Sequence, residues 1–326
     1  MKMHSAVIHE ITDTPGLCHC SSIAENSEGE LVCVWYEGAY ETAPDTAIRI
    51  AFKPSGADSW LPAEQLFHYS GIPLGNPVLF TFDRQTLYII FSVLLGESWT
   101  ESMLFVSASQ DGGHSWSNPG LLFAKKGLMA KTKPLRLESG RILIPLYEES
   151  GFFPVVLIAD DPRQWARSRY TAETMARGAA IQPALAQLPD GNLLMYCRSA
   201  RGTIWKSLSY NYGLSWSLCT PTGIPNPNSA IDLLRCDAST YLLAFNNSSA
   251  HRHSLSVALS RDCGASWVFA GEVDSGDGEY SYPCLLQDRS GRIHLSYTEN
   301  RYRIKHTVFD LDWLSKYPLE EPLSGE

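Results

Sequence analysis

The stretch "SRDCGASW", residues 260–267, has two close relatives upstream, "SQDGGHSW" at 109–116 and "SYNYGLSW" at 209–216. Two of the three match S-x-D-x-G-x-x-W, and the third carries Asn in place of Asp. This is the chemistry of a hairpin turn. Short Ser and Asp or Asn side chains bond the turn backbone, Gly supplies positive φ, and Trp packs under the next element. "AFKPSGADSW" at 51–60 reads as a decayed fourth copy.

Working outward, tryptophan sets a period. Trp60, Trp116, Trp165, Trp216, Trp267 and Trp313 are separated by 56, 49, 51, 51 and 46 residues. Between them lie strand-length alternating runs such as "ELVCVWYEG", "TLYIIFSVLLG", "RILIPLYEE" and "RIHLSYTEN", bounded by Gly, Asp, Ser and Asn. The longest helical candidate, "SRYTAETMARGAA", is short and weakly periodic. Six units of about fifty residues, each with room for four short strands, predict an all-β six-bladed propeller filling residues 1–326 as a single domain. "FDLDWL" near the C-terminus is expected to supply a strand that closes the ring with the N-terminal segment.

A second marker runs in phase with the first. A polar residue precedes proline, and a turn glycine follows: Lys133-Pro134 with Gly140, Gln182-Pro183 with Gly191, Tyr282-Pro283 with Gly291. Asn76-Pro77 and Asn226-Pro227 fit more loosely, and His19-Cys20 with Gly29 keeps the spacing without the proline. If these pairs open the innermost strands, His19, Asn76, Lys133, Gln182, Asn226 and Tyr282 face one channel mouth.

Composition bounds the partner. A net charge of -9 argues against an extended nucleic-acid or anionic-membrane surface, so an anionic ligand needs a local cationic pocket. The N-terminus has no signal-peptide core and no run spans a membrane, so the expected location is cytoplasmic. The eight cysteines are then read as reduced and mostly buried. No metal-ligand cluster, phosphate loop or cofactor motif is visible, and "DSGDGEY" near residue 277 reads as a turn before it reads as a calcium site. No metal and no cofactor are expected.

The three octapeptides resemble the Asp-box repeats of the sialidase (neuraminidase) superfamily, and the resemblance covers nearly the whole chain. It implies a six-bladed propeller with Asp boxes on outer turns, so Asp111 and Asp262 are expected to be scaffold. It also implies an arginine triad for a substrate carboxylate, a tyrosine nucleophile activated by a glutamate, and an aspartate acid/base. A neutral tyrosine suits an anomeric carbon that already bears a carboxylate, because an anionic nucleophile would be repelled.

Carried over by motif, "EYSYPCLLQDRSGRIHLSYTEN" implies Tyr282 as nucleophile, with Tyr280 two residues earlier on the same face. "IQPALAQLPDGNLLMYCRS" implies Arg198 as one arginine, but its glutamate position holds Gln182, which cannot take the tyrosine proton. Arg252 is the third arginine by spacing, with Arg301 and Arg303 as rivals. His19 stands where the first arginine is expected, a titratable group in place of a bidentate clamp. The acid/base falls in "EGAYETAPDTAIRI", where Glu41 and Asp45 are candidates with Glu37 behind them. Glu148 is a possible compensating carboxylate.

These residues lead to a sialidase-like hydrolase acting on a terminal acidic sugar of an oligosaccharide or glycoconjugate. Arg198, Arg252 and Lys133 would bind the carboxylate, with Asn76, Asn226, Tyr280 and Arg301 around them. Two alternatives stay open. A uronate-directed lyase could use His19 or Tyr282 as base while Gln182, Arg198 and Lys133 neutralise the carboxylate. A non-catalytic carbohydrate-binding propeller would need neither acid nor base.

Overall fold

The computed structural model describes residues 3–12, 16–161, 165, 169–171 and 180–314. Six antiparallel sheets follow one another along the chain, each running from an inner strand to an outer one. In chain order the inner strands are Leu17–Glu25 (blade I), Leu74–Thr81 (II), Leu128–Ala130 with Leu135–Arg136 (III), Ala180–Gln187 (IV), Asp232–Arg235 (V) and Tyr280–Gln287 (VI). They pack side by side around the axis, and the six-bladed propeller expected from the tryptophan period is the observed architecture. Most of the helical candidate lies outside the described residues; its segment Arg169–Thr171 is the outer strand of blade III.

Blade VI closes the ring. Its outer strand is the N-terminal segment His4–Glu10, paired antiparallel with Arg303–Phe309. The "FDLDWL" expectation is therefore corrected: only Phe309 belongs to the closing strand. Leu311–Leu314 is a helical turn, because the Asp310 carboxylate accepts the Trp313 N–H and starts it.

The Asp boxes occupy the hairpin between third and fourth strands in blades II, IV and V. In blade V, Asp262 Oδ1 accepts from the Ser266 amide (2.9 Å) and Ser260 Oγ (2.7 Å), and Oδ2 accepts from Ser266 Oγ (2.6 Å). Asp111 makes the same three bonds in blade II. The Gly264 turn presses on the preceding blade: with φ at +81°, a Cβ there would lie 2.9 Å from Leu194. Trp267 completes the contact by donating Nε1–H to the Tyr196 hydroxyl of blade IV at 2.8 Å. The boxes are spacers between blades, on the side away from the mouth described below.

A second seam fastener joins blades I and VI. Trp60 Nε1–H donates to His306 Nδ1 (3.3 Å), which leaves the His306 proton on Nε2, bonded to His294 Nδ1 (2.9 Å). The His294 proton is then on Nε2, toward Asp288 Oδ2 (3.1 Å). Every nitrogen has one role, so an added proton breaks a bond. Burial, first of all, lowers both histidines, with the neighbouring His294 lowering His306 further and Asp288 opposing the shift at His294. Lys53, Arg292, His4 and Glu25 are the other charged or titratable groups facing the pair.

Two outcomes follow from this scaffold. Asp262→Ala should cost about 1 kcal/mol in denaturant unfolding, as a lost capping bond does. The folded state binds fewer protons at His294 and His306 than the unfolded chain, whose imidazoles titrate near 6.5. Their contribution is therefore complete above that value and falls as pH drops, by about 1.4 kcal/mol per unit for each group. His19, buried in the same way, adds to the same limb. Thermal midpoints should fall from about pH 7.5 to about pH 5.5, less steeply in His306→Phe; an unaltered slope would remove His306 from the linkage.

Candidate active site at one channel mouth

The site begins with a backbone irregularity. In blades I, II, IV and VI the pairing of the inner strand slips at His19/Ser22, Gly75/Val78, Ile181/Pro183 and Ser281/Cys284. At each slip one non-glycine residue has positive φ: Cys20 (58°), Asn76 (45°), Gln182 (52°) and Tyr282 (56°). Such bulges leave a residue outside the ladder and re-aim its side chain. Asn76, Gln182 and Tyr282 converge by this means.

Tyr282 is the centre. Its hydroxyl accepts from Arg198 Nη1 (3.2 Å) and Gln182 Nε2 (3.4 Å). Arg198 Nη1 also reaches Gln182 Oε1 (3.1 Å), which orients the amide, and Nε donates to Asn228 Oδ1 (2.8 Å). Gln182 Nε2 and Asn76 Nδ2 both donate to the buried Tyr147 hydroxyl, at 3.3 and 3.1 Å. Burial, with Tyr282 close by, pushes the Tyr147 phenol well above its ordinary range and keeps it neutral.

Below the ring of Tyr282 lie Lys131 and His19. Lys131 Nζ, 5.6 Å from the ring centroid, is 4% exposed and donates to the Pro283 carbonyl. His19 packs on the tyrosine with centroids 4.1 Å apart; its Nδ1 pairs with Thr298 Oγ1 (3.1 Å) and its buried Nε2 has no hydrogen-bond partner among the described residues. Burial, then Arg301, holds this imidazole well below its ordinary value, so it is neutral at physiological pH. It is a packed group beside Tyr282 and supplies no cation.

Around the rim runs a chain of charges. Glu279 Oε1 takes Arg252 Nη1 (2.8 Å) and Ser281 Oγ (2.6 Å), and Oε2 takes Arg301 Nε (3.2 Å). Burial works against ionisation there, but the Ser281 bond and the arginines hold the Glu279 carboxyl down at about 2. Arg301 Nη1 continues to Glu41 Oε2 (2.8 Å), whose other oxygen accepts Trp99 Nε1–H (3.2 Å). Arg252 Nη2 closes on the Asn228 carbonyl (2.6 Å). Thus Arg252 and Arg301 share two carboxylates, whereas Arg198 and Lys131 have none within ion-pair distance among the described residues.

Several expected residues stand elsewhere. Lys133 points down the channel to the Leu285 carbonyl (2.9 Å), toward the opposite mouth. Asn226 is fully buried and binds the backbone of Ser199 and Ser229. Tyr280 packs in the core between blades V and VI, because the slip after Ser281 breaks the alternation that would have put it on the face of Tyr282. Asp45 accepts the Ala39 amide on an exposed flank, and Glu37 is held by His9, Arg49 and Trp35. Glu148 caps its own turn through Ser150 Oγ and the Gly151 amide. Arg303 pairs with Glu10 and Glu299 on the outer edge. In "DSGDGEY" the Asp274 carboxylate is taken by Tyr297 and Lys305.

Lys131, Tyr147, Asn228, Glu279 and Trp99 were not foreseen. For Lys131 a signal existed. Gln182 precedes Gly191 by nine residues and Tyr282 precedes Gly291 by nine; the same count back from Gly140 gives Lys131 and from Gly29 gives Cys20. The proline of Lys133-Pro134 masked it. Among the described residues no three or more His, Cys, Asp or Glu side chains are grouped to hold a metal, and no helix is long and apolar enough to cross a membrane. All eight cysteines are free, six of them buried.

Comparison with known proteins agrees with this architecture. The family described as "BNR repeat-like domain" matches residues 29–295. An anhydrosialidase of Macrobdella decora is 24% identical over 265 residues, covering 71% of this chain. The chain spans about a third (34%) of that relative's length. Among solved structures, the leech intramolecular trans-sialidase complexed with 2,7-anhydro-Neu5Ac superposes with a TM-score of 0.78 at 15% identity, covering 97% of this chain and 71% of that one. The intramolecular trans-sialidase of Ruminococcus gnavus gives 0.74 at 14%, covering 92% and 96%. At such identities these structures speak for the fold.

Proposed function

This chain belongs to the BNR repeat-like domain family and is built as a sialidase-like propeller, and from that premise we propose that it cleaves the glycosidic bond of a terminal carboxylate-bearing sugar. One observation carries the reading: Arg198 donates to the Tyr282 hydroxyl and has no carboxylate within ion-pair distance among the described residues, in a protein of net charge -9. The surplus positive charge of Arg198 and Lys131 is concentrated where an anionic ligand would sit. A planar guanidinium matches a carboxylate in two places, and Arg252, already oriented by Glu279, is the second clamp.

Tyr282 is the nucleophile in this reading. Arg198 and Gln182 both donate to its oxygen, so these bonds strengthen as negative charge develops there. Gln182 is an amide and takes no proton, so the phenol proton leaves to water and not to a neighbouring base. The same amide supports a second reading, β-elimination from a uronate. There Gln182 and Arg198 neutralise the carboxylate and Tyr282 removes the adjacent proton.

Incubation with 3′-sialyllactose and with uronate-terminated oligosaccharides, followed by mass spectrometry, separates the outcomes. Hydrolysis yields free acidic sugar. An anhydro sugar, lighter by one water, is the outcome of transfer within the sugar, and an unsaturated chromophore marks elimination. Tyr282→Phe should lower turnover by about a thousandfold or more. Arg198→Lys should raise KM by about 10- to 100-fold, the loss of a charged bidentate contact. Binding without product, unaltered in Tyr282→Phe, would leave a propeller that only recognises sugars.

A further inference from the structure

We infer that Glu149 is the acid that protonates the departing glycosidic oxygen; this rests on the cleavage reading above and names the residue that completes it. The choice follows from how the carboxyl groups around the mouth are engaged. Glu279 receives Ser281 and both rim arginines. Glu41 has Arg301 on one oxygen and Trp99 on the other. Glu148 has Ser150 on one oxygen and the Gly151 amide on the other. A carboxyl group with both oxygens taken by donors has neither oxygen free to face a leaving group.

Glu149 differs on each count. Its backbone is fixed at the end of strand Ile142–Glu148, where its N–H donates to the Gly127 carbonyl (3.0 Å). It stands two residues beyond Tyr147, whose hydroxyl is bonded to Gln182 on the floor of the site. Its half-buried carboxyl has no hydrogen-bond or ion-pair partner among the described residues. Arg198, Glu41 and Glu148 are its charged neighbours. Burial raises its proton affinity, and Glu41 and Glu148 add to the rise against the opposing pull of Arg198. Two carboxyl groups with contrasting surroundings, one ion-paired and one unpartnered, divide the roles of fixed charge and proton donor.

The proton leaves the Glu149 carboxyl for the bridging oxygen as the C–O bonding pair goes to that oxygen. The Tyr282 oxygen bonds the anomeric carbon, and its phenol proton passes to water. Glu149, now ionised, then takes a proton from a second water as that water's oxygen bonds the anomeric carbon; the C–O pair returns to the Tyr282 oxygen, which recovers its proton from solvent.

The test compares Glu149→Gln with the unaltered chain on 3′-sialyllactose and on a 4-nitrophenyl sialoside, whose leaving group needs no proton. On the lactoside kcat/KM should fall by about 100- to 10,000-fold and the alkaline limb of the pH profile should disappear. On the aryl sialoside it should change little, and an unchanged thermal midpoint would show that the variant folds. Glu41→Gln, which frees an arginine, should depress both substrates alike. Equal losses on both substrates in Glu149→Gln, or no loss on either, would overturn the assignment alone. No turnover of either substrate by the unaltered chain would overturn the cleavage reading and the assignment with it.

Discussion

One extra residue in an inner strand is the constraint on which the site depends. A regular strand alternates its side chains between its two faces and would turn Gln182 or Tyr282 against the next blade. The slip in pairing releases that residue from the ladder, and its positive φ aims the side chain at the channel mouth. Such a conformation costs on the order of 1 kcal/mol or more for a non-glycine residue, and it persists because the surrounding ladder over-determines it. Proline after Asn76, Gln182 and Tyr282 suits the position, since it needs no ladder donor there.

Charge then decides what the convergent side chains can do. The rim arginines are neutralised in a chain through Glu279 and Glu41, which holds them rigid. Arg198 and Lys131 make no ion pair among the described residues, in a site where partial burial strengthens Coulomb interactions. His19 stands where a third cation was expected, and burial keeps it neutral. Arg198 and Lys131 thus place positive charge directly beside Tyr282.

Much of the fold was legible because a radial repeat writes itself into the sequence at a fixed period. Trp116, Trp216 and Trp267 close turns whose geometry needs Ser, Asp or Asn, and Gly at set offsets, and these are local requirements. Asn76, Gln182 and Tyr282 were legible for the same reason, each at a set position within its repeat, whereas Arg198 was implied by the family resemblance alone. Lys131 was obscured by a two-residue displacement of the proline in blade III. Glu149 carries no local mark at all, being one of two adjacent glutamates at a strand end.

By itself, then, the sequence determined the blade count, the turn chemistry and the residues that open the inner strands, since all of these depend on contacts within about fifty residues. Only the tertiary structure decided which of two lysines lies under Tyr282, which of two glutamates is left unpartnered, and that His19 is neutral. Those properties arise from contacts between blades hundreds of residues apart in the chain, as between His19 and Thr298 or Glu41 and Arg301. Burial and ion pairing of that kind are sums over neighbours that no local pattern contains.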